Sequence, residues 1–208
     1  MVGWRDNGGK AMVLTVDELN AGEEFDSVML KDIDTSIANF SGKSFYGCEF
    51  MGLAAMEANF SNSVFEDCRF HQCDLTMAKL FNASLRGVQF GHCKLMGIDW
   101  SPAGGLTFSV SFDSCILSHC LFTDLRMKDT QITDCKAHEA SFAGVDLQGA
   151  NFSGCDLRDA RFLDTNLERA DLSKAMNYMI DPEGNRLKDT KFSIEAALAL
   201  VSKFGVIV

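Results

Sequence analysis

The chain has 208 residues, 47% of them hydrophobic and only two of them proline, enough to bury a sizeable core without disorder dominating. No run of about 18 apolar residues is present, so nothing reads as a membrane span. The formal net charge is −10, with 19 acidic against nine basic residues in 15–150 and nine against eight in 151–208, which argues against direct binding to a phosphate backbone.

Met1 to Met12 is polar and Gly-rich. It lacks the apolar core of a secretory leader, so a cytoplasmic location is expected. Thr15-Val-Asp-Glu18 reads as a capping box and predicts a short helical cap near 15–21, within an N-terminal segment of residues 1–22.

From residue 23 to 174 large apolar residues recur every five positions. The first series runs from Phe25 and Leu30 through Phe40, Phe45, Phe50, Phe60, Phe65 and Phe70 to Trp100. The second runs from Phe112 and Leu117 through Phe122 and Phe142 to Leu172. Of 29 such positions, 26 are Phe, Leu, Ile, Met or Trp, and 13 of the 17 phenylalanines fall there. A period of five fits neither a helix nor a flat strand. It fits a short extended segment that turns a corner and repeats, and stacked coils bury what one unit cannot. Two residues before most centres the side chain is small, chiefly Ala or Cys, and all eight cysteines occupy this position. Residues two apart in an extended segment share a face, so both point inward. The residue between them, often Asn or Asp (Asn59, Asp74, Asp146, Asn151, Asp156, Asp171), points outward. Thr35 is the one polar centre.

Trp100 and Phe112 are twelve apart, so the register slips by two across 101–107. Pro102 with Gly104 and Gly105 marks a loop there. It reads as an insertion that kinks the rod or, alternatively, as a projecting contact.

After the repeats, Asp181-Pro182-Glu183-Gly184-Asn185 is a turn within a C-terminal segment of residues 175–208. Ser193 then caps a predicted helix over 193–204, with Glu195 in its first turn, Lys203 in its last and Gly205 as a stop. Ile194, Ala197, Leu198, Val201 and Phe204 line one face of it. This face either folds back as a cap or pairs two chains as a homodimer.

The run Ala150-Asn-Phe-Ser-Gly, Cys155-Asp-Leu-Arg-Asp, Ala160-Arg-Phe-Leu-Asp resembles the pentapeptide-repeat consensus A(D/N)LXX, and the resemblance covers about residues 23–174. It implies an all-β fold, a right-handed quadrilateral β-helix with four pentapeptides per coil, residues 20 apart stacked, and a short C-terminal α-helix. Twenty-nine units then give about seven coils and a rod on the order of 35 Å long. Cys115, Cys135 and Cys155 stack in parallel at about 4.8 Å and are expected to remain reduced thiols.

No phosphate loop, nucleophile elbow or carboxylate pair in an apolar pocket is present, and a filled interior leaves no room for a substrate. The expectation is a non-enzyme with no cofactor and no metal site. His71, His92, His119 and His138 fall one or two residues after a centre and are expected to face water. The Cys spacing of five follows from the repeat rather than from metal ligation.

Within that family the chain resembles the quinolone-resistance (Qnr-type), DNA-mimicking branch in length, interrupted repeat, acidic surface and C-terminal segment. It departs in carrying one clear loop where some members have two. The resemblance implies a protein partner, DNA gyrase or topoisomerase IV, quinolone protection, and a homodimer through the C-terminal helix. Candidate partner contacts are Asp74, Asp99, Asp113, Asp124, Asp129 and Asp134, with Ser101, Pro102, Gly104 and Gly105 of the loop. The competing reading is a scaffold solenoid with a different protein partner.

Overall fold

In the computed structural model the described residues are 12–36, 38–103 and 108–203. They form a right-handed β-helix of about 7 turns with one C-terminal helix. Coils stack in parallel at a register of twenty: Phe25 pairs with Phe45, Phe45 with Phe65, and Phe50 with Phe70. Each coil has four faces. The first carries a four-stranded parallel sheet, Glu24–Asp26, Ser44–Tyr46, Val64–Glu66 and Ser84–Arg86. The second carries six strands, Met29–Lys31, Glu49–Met51, Arg69–His71, Val88–Gly91, Val110–Asp113 and Ile132–Thr133. The third is held by single bridges such as Asp74 to Lys94 and Lys136 to Asp156. The fourth has three strands, Leu121–Thr123, Ser141–Ala143 and Arg161–Leu163.

The period of five has a simple cause. Inward side chains stack in columns, and aromatic rings lie face to face along them. Phe50 and Phe70 have centroids 4.2 Å apart, and Phe122, Phe142 and Phe162 follow one another at 5.0 Å. All eight cysteines are buried free thiols, as their position implied. The column is longer than the three expected members: Cys73, Cys93, Cys115, Cys135 and Cys155 succeed one another, and the amide of Cys73 donates to Cys93 Sγ at 3.4 Å.

Two further positions explain the corners. The outward Asx before each centre accepts the amide two residues on, as in Asn59 to Ser61 at 3.0 Å and Asp171 to Ser173 at 3.0 Å. This is an Asx turn. Two residues after most centres the backbone is left-handed, with φ of 54° at Asp124, 55° at Asp129 and 71° at Gly149. Such φ values favour Gly, Asn and Asp, which recur there.

The interruption behaves as a two-residue insertion. Across it the stacking interval is 22, where Phe90 lies over Phe112 and Trp100 over Phe122 at 5.5 and 5.8 Å, and beyond it the interval returns to 20. Ser101–Ala103 form a turn of 3-10 helix, and Phe108 and Val110 are buried again. Gly104 and Gly105 lie outside the described residues.

Each end carries a short helix. Helix α1, Val16–Ala21, starts with the predicted capping box between Thr15 and Glu18. Lys43 takes an inward position usually held by a small residue, and its ammonium reaches the carbonyl of Gly22 at the end of α1. At the other end stacking continues past residue 174. Arg186 bridges to Asn166 and Lys191 to Asp171. Helix α2, Ile194–Lys203, follows, with Ser193 Oγ accepting from the Ala196 amide at 3.2 Å. Tyr178 ties this end together, its hydroxyl accepting from the Ser193 amide at 2.9 Å and donating to the Leu172 carbonyl at 3.1 Å.

Candidate partner-binding surface

Outward acids fall into two groups according to their place in the repeat. Those just before a centre are engaged. Asp74 accepts from the Thr76 amide and hydroxyl and pairs with Lys94 at 3.3 Å. Burial works against its charge, but these bonds hold the carboxyl below its usual range. Asp99 accepts from the Ser101 amide at 3.0 Å. Axial ion pairs one coil apart recur along the rod, including Glu49 with Arg69, Glu66 with Arg86 and Asp171 with Lys191. Their twenty-residue spacing is the signal that links them in sequence.

The corner acids differ. Asp124, Asp129, Asp134 and Glu139 occupy the four successive left-handed corners of one complete turn, and all four are exposed. They form a ring of carboxylates around the rod next to the interruption. Glu139 faces His119 at 3.7 Å, whereas Asp124, Asp129 and Asp134 make no ion pair among the described residues. The six candidate acids therefore do not line one face. Asp74 is on the third face, Asp99 on the fourth, Asp113 on the second, and the rest girdle the corners. Asp113 accepts from the Thr133 hydroxyl at 3.0 Å. On the fourth face Ser101 Oγ accepts from the Thr123 amide at 3.1 Å, which brings the root of the loop beside Asp124. Pro102 is exposed there and accepts from the Asn82 amide at 3.2 Å.

One expectation about histidine needs correction. His138 is half-buried rather than free in water, and its Nε2 lies 2.7 Å from Asp156 Oδ2. Asp156 also accepts from Asn177 at 2.8 Å. Residues 138 and 156 adjoin because coils stack, which local spacing does not reveal. His71 is also half-buried, beside His92 at 5.3 Å; burial, then the neighbouring imidazole, pushes its pKa down. The thiols are sealed inside. Burial pushes Cys120 up to about 11. An interior gap between Phe60, Phe70, Leu75, Leu80, Phe90 and Trp100 is lined wholly by apolar side chains. Among the described residues no group of three or more His, Cys, Asp or Glu is arranged to hold a metal ion.

On helix α2 the exposed large apolar residues among those described are Ile194, Leu198 and Val201, one stripe at helical spacing. Ala197 is half-buried at its border, Ala196 turns inward, and Phe204 lies outside the described residues. No helix among the described residues is long and apolar enough to cross a membrane.

The chain matches the family model described as pentapeptide repeat region over residues 23–103 and 107–172. Among solved structures it is similar to two trypsin-treated variants of QnrB1, described as a plasmid-mediated fluoroquinolone resistance protein. One is 25% identical over 95% of this chain and 97% of that one, with a TM-score of 0.51. The other is 26% identical over 95% and 99%, with a TM-score of 0.50. No curated protein sequence matches significantly.

Proposed function

Because this chain belongs to the pentapeptide-repeat family, we propose that it is a non-enzymatic rod that binds a type II topoisomerase, DNA gyrase or topoisomerase IV, by imitating duplex DNA. The observation that carries this reading is the ring of corner carboxylates, Asp124, Asp129, Asp134 and Glu139, beside the loop. A solenoid of this kind is about as wide as a DNA duplex and carries fixed negative charge at regular steps. It suits a basic groove built for phosphates. Similarity to QnrB1 supports the same reading and brings quinolone protection with it. Two rods join through the apolar stripe Ile194, Leu198 and Val201, since a closed two-fold contact covers it on both chains.

The test is gyrase supercoiling with and without a quinolone, alongside capture of the enzyme at low and high salt. Capture is expected to compete with DNA and to weaken as salt rises. Replacing Asp124, Asp129 and Asp134 with Asn is expected to weaken it without unfolding the rod. No binding to either topoisomerase at low ionic strength, with a folded rod, overturns the reading.

A scaffold role with a different protein partner is favoured by one observation. Much of the acid is neutralised along the rod, as in Asp74 with Lys94 and Asp146 with Lys128. Capture of a partner other than a topoisomerase, insensitive to salt, supports that reading.

A further inference from the structure

Met56, Met77, Phe81 and Leu121 are 61%, 54%, 68% and 45% exposed. They lie on the fourth face and on its edge with the third, over the second to fifth coils, with Lys79 and Asp99 among them. Met96 lies half-buried among them. Met77 Sδ rests against Gly97, in the hollow left by the missing side chain. Solvent-facing residues of a repeat rod have no core to fill, so a cluster of large apolar groups there marks a contact surface. Methionine is flexible and polarizable, and suits surfaces that adapt to a partner.

The backbone excludes one mode of docking. Amides and carbonyls here run along the axis and are taken by neighbouring coils: the Met77 amide donates to Met96, Phe60 to Lys79, and Trp100 to Leu121. No lateral strand edge is offered, so a partner cannot add a strand to this face. It must pack side chain on side chain. From Met56 to Leu121 is three coil steps, about 14 Å. A helix rises 1.5 Å per residue, so about ten residues span the patch with apolar positions at i, i+3, i+4 and i+7.

Charge identifies the rest of the partner. Along the edge the patch runs from Glu57 at one end to His119 and Glu139 at the other, and Asp99 lies within it, bridged to Leu121. Glu57 and Asp99 make no ion pair among the described residues, and Lys79 is the cation inside the patch. The local excess is acidic. An anionic lipid surface or a nucleic acid is repelled, and a helix with Lys or Arg beside its apolar stripe is attracted.

We propose that this edge docks an amphipathic helix of a protein partner, apolar on one side and basic at its borders. The inference rests on reading the rod as a partner-binding module, not on the partner being a topoisomerase.

The test uses the full chain labelled at its methionine methyls. It is titrated with a synthetic Leu/Lys amphipathic helix of about 14 residues, and with a scrambled peptide of the same composition. The expected result is that Met56, Met77 and Met96 shift while Met176 and Met179 do not. The scrambled peptide is expected to bind about tenfold more weakly or worse. The double variant Met77→Glu/Phe81→Ser, taken only with a melting temperature equal to the parent's, is expected to lose about tenfold. Equal binding of both peptides, shifts centred on Met176 and Met179, unchanged binding by the variant, or attachment to phosphatidylcholine vesicles overturns the proposal. Gyrase capture separates the two claims. Its failure with the peptide result intact sinks only the topoisomerase reading.

Discussion

The carboxylate of Asp129 lies against Gly149, one coil further along the rod, and a Cβ built at 149 would overlap Asp129 Oδ1. The pairs Asp124 with Gly144 and Asp134 with Gly154 repeat the arrangement. At 149 glycine is needed twice, for a φ of 71° and for space. Gly149→Ala is expected to lose about 1–2 kcal/mol from the left-handed backbone alone, and more while Asp129 is present. Asp129→Gly is expected to lessen the loss. Urea denaturation of the two single variants and the double variant measures the coupling. Additive effects mean that the two residues do not press on each other.

Phe70 lies between Phe50 and Phe90, with centroids 4.2 and 5.0 Å away, and Phe142 sits between Phe122 and Phe162. Replacing either with Ala removes a ring that neighbouring coils cannot move in to replace. The expected loss is about 3–5 kcal/mol. Chemical denaturation checks it, and a loss below about 1 kcal/mol would falsify the column packing.

All eight thiols are buried and their sulfurs bond to backbone, as Cys73 Sγ does to the Phe50 carbonyl at 3.4 Å. A thiol-specific chromogenic reagent is expected to find none of them in the native rod and all eight after denaturation. Rapid labelling of any one without unfolding contradicts their inward placement.

If the α2 stripe joins two chains, Leu198→Glu or Val201→Glu should give monomers, because an unpaired charge buried in such a contact is costly. Light scattering reads the mass directly. A mass unchanged from that of the parent shows that the stripe does not hold the dimer.

Asp156 and Asp171 both titrate below the usual carboxylate value. At Asp156 burial opposes this, and hydrogen bonds from Asn177 and His138 overcome it; at Asp171 the Ser173 hydroxyl and amide lead. A depressed folded pKa contributes stability above the unfolded value of about 3.9 and loses it as pH falls through the folded value. Melting temperature is therefore expected to drop below about pH 4. Both are half-buried carboxylates paired at the rod surface, so each contributes about 1 kcal/mol or less. Asp156→Asn should flatten that limb, and an unchanged slope shows that the carboxylate is not linked to folding.

The fold was legible because the repeat repeats its physics. A large residue every five positions, mostly with a small one two before it, points to inward columns in stacked coils, and Phe50, Phe70 and Phe90 fell into the twenty-residue register that the family resemblance implied. Both caps were legible too, because the Thr15–Glu18 box and the Ser193 cap are local hydrogen-bond patterns. The left-handed corners passed unremarked, although Asp and Gly at 124, 129, 144 and 149 carry the signal.

The surface was another matter. Sequence alone determined which residues face outward, since alternation along an extended segment fixes the side of the backbone. Only the stacked structure decided which outward residues are neighbours. Asp74 meets Lys94 and His138 meets Asp156 because successive coils lie a strand spacing apart, and Asp124, Asp129, Asp134 and Glu139 close into a ring because one turn has four corners. Those relations link residues five to twenty apart in chain. They depend on how many repeats make a turn and on how the two inserted residues were absorbed, so the tertiary structure alone sets them.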